Sequence, residues 1–215
     1  IKARVSALLG GEWFDAMRDL ASFLPMEAVA HLVGLPEAGR ERMLEWAGAA
    51  FNAIGPRTSS TDLGHMQEAF AYMSTLSETN VTGWAADLFL AVNTGKLSLP
   101  EAMGAISAYV IPSLDTTILA KGHLLYNLAR HPDQWRLLTE RPELIGSAIQ
   151  EALRHGAPIR WFSRVALQNY SVDSFTVPQG ARVMLMYGCA NRDERRYADP
   201  DDFDITRDNR DQLAW

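Results

Sequence analysis

The sequence predicts a mainly α fold, α+β in detail, with one long central helix and a small antiparallel sheet near its C-terminal part. Three observations carry this reading. A long apolar stretch between Ser98 and Arg130 bears stop signals at both ends. Before it, apolar residues recur at helical spacing in several separate runs. After Gly156 the chain changes to short β-prone runs divided by turn residues.

The long stretch opens Ser98-Leu99-Pro100-Glu101, a serine cap with glutamate three residues on and proline in the first turn. It closes at His131-Pro132, where proline forbids continuation. At the helical rise its roughly 32 residues span about 48 Å, enough to cross a whole domain. Inside lie Pro112, Ser113, Leu114, Asp115, Thr116 and Thr117. Pro112 lacks an N–H, so the helix is expected to bend or open there and to present an acid and a hydroxyl at the break. A plainer arrangement has the threonines bonded back to carbonyls four residues earlier and Asp115 in solvent.

Taken in order, residues 1–9 read as a helix broken by Gly10-Gly11, and Phe14 to Phe23 is apolar and mixed. Pro25 to Val33 is a helix ended by Gly34, with Pro36 beyond. Glu37 to Ala53 is amphipathic, with Met43, Leu44, Ala47, Ala50, Phe51 and Ile54 on one stripe. Gly55 to Ser60 is a loop, followed by helices over about Thr61 to Leu76 and Trp84 to Val92. Pro132 and Pro142 each start a short helix, the second stopping at Gly156 with Pro158 after it. Strands are expected over Phe162–Leu167, Tyr170–Val172, Phe175–Val177 and Ala181–Tyr187, and a charged, turn-rich segment over 191–215. No linker divides the chain, so it is read as one partial domain, helical over 1–156 and strands and meander over 157–215.

Composition excludes several functions. A net charge of −6 without a basic run argues against a nucleic-acid surface. No apolar stretch is read as reaching the roughly 18 residues of a membrane span, and no signal peptide is seen, so no membrane partner is expected and a cytoplasmic location is. The start at Ile1, without methionine, is not expected to be a natural one. Cys189 is the single cysteine, which excludes an internal disulfide and suits a reducing compartment. The five histidines, His31, His65, His123, His131 and His155, show no metal-ligand spacing, so no metal site is expected within this chain.

Glu151 and Arg154, three apart on a helix, share a face and can pair. Glu37 and Arg40 have the same spacing, so the pair gains meaning only from the segments downstream of it. Those are Phe162-Ser163-Arg164, Ala190-Asn191-Arg192-Asp193, Asp199-Pro200-Asp201, Phe203-Asp204 and Arg207. In this order and spacing the chain resembles the cytochrome P-450 family, in its bacterial, soluble, haem-thiolate monooxygenase class. Pro112 to Thr116 takes the place of that family's acid–threonine segment, with Pro112-Ser113 in place of the usual small-residue pair. The match covers a central portion that lacks the family's N-terminal part and its cysteine-ligand loop.

The resemblance implies haem as cofactor, with the thiolate ligand expected beyond residue 215. It implies a small organic substrate and an electron donor of ferredoxin or flavodoxin type, with one atom of dioxygen inserted into the substrate. Asp115 is then expected to relay protons, Thr116 to hydrogen-bond the oxygen under activation, and Arg164 to neutralise a haem propionate. Glu151, Arg154 and Arg207 are assigned to a structural ion-pair network. The substrate pocket is expected along Ala108, Ile111 and Leu114 and along Ile159, Arg160, Trp161 and Phe162, after Pro158. Arg160 beside aromatic residues suits a carboxylate, which puts aromatic acids among the candidate substrates; the alternative is that it points to solvent. Cys189 is expected on a strand as a buried packing thiol that cannot ligate iron, so these 215 residues alone are expected to be inactive. The rival reading is a catalytically silent helical module that binds a hydrophobic ligand or a protein. A third is a haem isomerase or peroxygenase, whose members usually lack the acid–threonine pair.

Overall fold

The computed structural model describes residues 2–54 and 59–213, without the side chains of Lys2, Arg4 and Ile54. The stripe position at Ile54, most of the expected loop at 55–60 and the last two residues lie outside the described residues. The chain divides into two compact units, 1–119 and 120–215.

The first unit runs through helices α1 (Lys2–Leu9), α2 (Phe23–Val33), α3 (Met43–Ile54), α4 (Ser60–Ser74) and α5 (Gly83–Asn93). It ends in the first two-thirds of α6 (Leu99–Arg130). A π-helical turn, Ala16–Ala21, precedes α2. The core gathers Val29, Ala30 and Val33 of α2, Met43, Trp46 and Ala47 of α3, Ala85 and Phe89 of α5, and Ile106, Val110 and Leu114 of α6. Trp46 and Tyr72 join α3 to α4 with ring centroids 5.0 Å apart.

Helix α3 begins at Met43, not at Glu37 as its pattern suggests. Gly39 takes a left-handed φ of 93°, and a Cβ there would lie 2.7 Å from the Tyr72 ring, so the segment turns where a helix would continue. The Arg40 guanidinium donates to the Leu35 and Pro36 carbonyls and holds that turn against the end of α2. Further along, α4 starts with a reciprocal capping box between Ser59 and Asp62. Hydrogen bonds from Asn52 and Ser59 hold the Asp62 carboxyl down at about 2.

Helix α6 has the cap its sequence announces: the Ser98 N–H and hydroxyl both donate to Glu101 at 2.7 Å. It is continuous as α-helix through Pro112, so the expected opening does not occur. By length and composition it could cross a membrane, contrary to the reading that no stretch is long and apolar enough. Ala102, Ile106 and Leu114 on this helix are fully buried, and Ile106 and Leu114 belong to the core just named.

The second unit holds the last turns of α6, α7 (Pro132–Glu140), α8 (Ile145–Gly156), four strands and the short α9 (Tyr187–Ala190). A 3-10 turn at Pro142–Leu144 leads into α8, which ends where Ala157 adopts a left-handed φ of 42°. Its core is Leu128, Ala148, Ala152, Phe203 and Ile205. The strands form two separate antiparallel ladders where one small sheet was expected. β1 (Phe162–Val165) pairs with β4 (Arg182–Leu185), Phe162 opposite Leu185, and β2 (Tyr170–Val172) pairs with β3 (Phe175–Val177) across the turn at Asp173. β1 and β4 end sooner than their apolar runs do. The chain turns into α9 after Leu185, with the Gly188 N–H donating to the Arg160 carbonyl at 3.0 Å.

Candidate functional site

In the middle of α6 four polar side chains, Ser113, Asp115, Thr116 and Thr117, sit on an apolar helix. The Ser113 hydroxyl donates to the Tyr109 carbonyl at 2.6 Å and the Thr116 hydroxyl to the Pro112 carbonyl at 2.7 Å. Both bonds run back four residues, as the plainer arrangement had it for Thr116. Thr116 is buried, so its hydroxyl is held in one place and not shared with bulk water. Asp115, the residue before it, is half-buried, and burial raises its pKa above the ordinary 3.8. Among the described residues no hydrogen bond or positive charge offsets that rise. Asp115 thus keeps its proton to a higher pH than an ordinary carboxyl, one residue from a buried hydroxyl.

Ile111 and Leu114 line a small apolar cavity of about 40 Å³ together with Ser107, Val110, Met73 and Trp46. Ala108, expected beside them, is exposed. One turn of the helix explains this: residues 107, 110, 111 and 114 follow the i, i+3, i+4, i+7 spacing of one face, and 108 falls off it.

Glu151, Arg154 and Arg207 come together in the second unit. Arg154 donates through Nε to Glu151 Oε2 at 2.7 Å and through Nη2 to Oε1 at 2.8 Å. Its remaining donors reach the carbonyls of Asn191, Pro200 and Asp202. Arg207 Nε lies 3.6 Å from Glu151 Oε1, and its Nη1 donates to the Ala198 carbonyl. Sequence reasoning missed Asn209, whose side-chain amide donates to Glu151 Oε2 at 2.7 Å. It also missed the backbone N–H of Asp204, which donates to Oε1. These partners lie more than 50 residues from Glu151, and no local spacing betrays them.

Arg164 stands exposed on β1. It donates to the Ser163 carbonyl at 2.9 Å and lies 5.6 Å over the Phe162 ring. No carboxylate among the described residues pairs with it. Around it on the ladder Phe162, Val165, Met184 and Leu185 are exposed apolar side chains. A cation beside uncovered apolar surface fits a flat apolar group that carries carboxylates, which is the chemistry of haem and its propionates. Trp161 is exposed, Ile159 is partly buried, and Arg160 borders a cavity at the C-terminal end of α8.

Cys189 is exposed, on α9, and lines the same cavity as Arg160. This corrects the expectation of a buried strand thiol: β4 has already ended four residues earlier, and the short helix turns the sulfur outward. Among the described residues no three His, Cys, Asp or Glu side chains gather as a metal site.

The family model described as Cytochrome P450 matches residues 74–213. The chain is 33% identical over 212 residues to cytochrome p450 CYP199A2 of Rhodopseudomonas palustris, covering 95% of this chain and 51% of that protein. It is 31% identical to the biotin biosynthesis cytochrome P450 of Bacillus subtilis, covering 96% of this chain and 54% of that protein. Among solved structures, P450BioI in complex with an acyl carrier protein ligated to hexadec-9Z-enoic acid superposes with a TM-score of 0.88 at 28% identity. That match covers 99% of this chain and 57% of the other. The chain therefore spans about half the length of the curated relatives it matches.

Proposed function

The chain belongs to the cytochrome P450 family, and from that premise we propose that the whole protein is a haem-dependent monooxygenase acting on a small organic substrate. Haem, when bound, supplies the oxidising chemistry, with electrons from a ferredoxin- or flavodoxin-type donor. The residues of this chain bind, orient and move protons. The observation that carries the reading is the Asp115–Thr116 pair, since a pocket that only binds has no use for a half-buried acid beside a fixed hydroxyl.

Burial raises the pKa of the Asp115 carboxyl, so it keeps its proton to a higher pH than an ordinary carboxyl and is the group of α6 proposed to give that proton up. Thr116 Oγ1, whose proton is donated to the Pro112 carbonyl, keeps its lone pairs free to accept from a neighbouring donor; to pass a proton onward the hydroxyl would have to turn its own proton away from that carbonyl as it takes up the new one. Arg164 would hold a propionate by charge-assisted hydrogen bonds. Leu114, fully buried, and Ile111, partly buried against the same core, would limit water on their face of α6. The Glu151 network has no part in proton movement and fixes the polypeptide.

The test is spectroscopic. Full-length protein loaded with haem, reduced and exposed to carbon monoxide, should give the red-shifted Soret band of a thiolate-ligated haem. Retention of that band in Cys189→Ser places the ligand elsewhere, as the family reading requires. Failure of the full-length protein to retain haem would overturn the proposal.

A further inference from the structure

At the C-terminal end of α8 lies a cavity of about 380 Å³, lined among others by His155, Ala157, Arg160, Met186, Cys189 and Arg192. Its size is that of a small-molecule site. In a chain where 26 acidic residues outnumber 20 basic ones, no Asp or Glu among the described residues lines it. The charges around it are unequal in kind. Arg192 is already paired with Asp201 and also donates to the His155 carbonyl at 2.8 Å. Burial, and next the charge of Arg192, lowers the pKa of His155. Burial, and next the charge of Arg160, lowers that of His123, whose ring lies against Gly156. Both imidazoles are therefore neutral near pH 7. Arg160 is exposed and pairs with no carboxylate among the described residues. The cavity thus offers one uncompensated guanidinium beside the apolar side chains of Met186 and Ala157.

We propose that this cavity binds a small organic carboxylate, with the Arg160 guanidinium taking its two oxygens and Met186 and Ala157 meeting its hydrocarbon part. A planar guanidinium matches a carboxylate through two parallel hydrogen bonds. A single free positive charge selects a monoanion, whereas phosphate would call for a second cation that Arg192, held by Asp201, does not supply. The inference deepens the proposed function by naming the chemical class of organic molecule that Arg160 takes, and in that it rests on the proposal; binding here is read without turnover, so its failure is distinguishable from a failure to bind haem.

Cys189 provides the readout, since its exposed thiol lines the cavity. Full-length protein is treated with iodoacetamide, and alkylation is followed on the peptide that carries Cys189. Benzoate is the probe, with benzamide as its neutral isostere and inorganic phosphate as the alternative anion. Benzoate should slow alkylation in a saturable way while benzamide and phosphate leave it unchanged. Arg160→Gln should weaken the apparent benzoate affinity by at least about tenfold, and Arg160→Lys should keep part of the protection. Because Arg160 is exposed, an unchanged melting temperature shows that both variants fold. Absent protection, equal protection by benzamide or phosphate, or full protection in Arg160→Gln would each overturn the proposal. None of these results bears on whether the protein binds haem.

Discussion

The Arg154 guanidinium grips the Glu151 carboxylate through two bonds of 2.7 and 2.8 Å, and both side chains are 0% exposed. The pair acts on the fold. It draws the carbonyls of Asn191, Pro200 and Asp202 onto α8, and Glu151 in turn accepts from Asn209 and the Asp204 N–H. An irregular segment of about 20 residues is thereby tied to one helix, which its own sequence, rich in turn formers, could not achieve. Tyr197 completes the wrapping, its ring 5.2 Å from the Arg154 guanidinium.

The first prediction rests on those bonds. Arg154→Leu leaves the buried Glu151 carboxylate with only the more distant Arg207 guanidinium as counter-charge and three carbonyls without the Arg154 donors, a loss of about 3–5 kcal/mol. Full-length protein carrying it should show a much reduced yield of soluble protein or a melting temperature lowered by many degrees. Arg154→Lys should do nearly as badly, because an ammonium cannot make the same fork. A wild-type melting temperature in either variant would contradict the role given to the pair.

A second prediction concerns the backbone crossing at Gly34. This residue caps α2 with φ 82°, and its carbonyl accepts from the Thr82 N–H at 2.9 Å. A Cβ there would fall 1.9 Å from the Thr82 carbonyl oxygen, which is backbone and cannot swing away. Gly34→Ala should destabilise by more than about 2 kcal/mol, combining left-handed strain with a separation of α2 from the start of α5. Gly180, also at positive φ but with nothing near its missing Cβ, is the control. Gly180→Ala should cost only the conformational strain, and thermal unfolding of the two variants side by side decides the matter.

What the sequence revealed and what it hid divide along physical lines. Caps and breakers act within a few residues, so Ser98 and Glu101, Gly34, and the ends of α7 and α8 were legible. The pairing of Glu151 with Arg154 was legible for the same reason, being one turn of helix. Gly39 was not, because the Tyr72 ring that forbids a side chain there arrives from another helix. Cys189 was misread since an apolar run of four to eight residues does not say where a strand ends, and the Arg160 carbonyl that receives the Gly188 N–H is 28 residues away. Pro112 was overvalued as a breaker: α6 stays helical through it, with Ser113 and Thr116 donating to the Tyr109 and Pro112 carbonyls.

Asp115 yields a prediction about pH. Burial raises its folded pKa above the ordinary 3.8. Between those two values the native state binds more protons than the unfolded state, so stability falls as pH rises through the window and the deficit persists above it. Asp115→Asn does not titrate and lacks this penalty. The variant should therefore gain stability over the wild type as pH is raised from about 4 to about 8, with the gain largest at the upper end. Melting temperatures at the two pH values measure it. A difference between variant and wild type that does not change with pH would mean that Asp115 titrates as it would in water.

The last prediction separates the bond that the Thr116 hydroxyl makes within the helix from the part in the reaction proposed for it. Its bond to the Pro112 carbonyl is intrahelical, so Thr116→Ala should leave the fold and haem content of the full-length protein unchanged. The missing hydroxyl then shows in turnover: reducing equivalents are still consumed, but hydrogen peroxide accumulates in place of oxidised substrate, with coupling reduced by roughly tenfold. Thr116→Ser keeps an oxygen at the same position and should restore most of the coupling. Thr116→Val, which keeps the shape and loses only the hydroxyl, should behave like alanine. If valine couples as well as the wild type, the hydroxyl serves only α6, and proton delivery must be sought from another group.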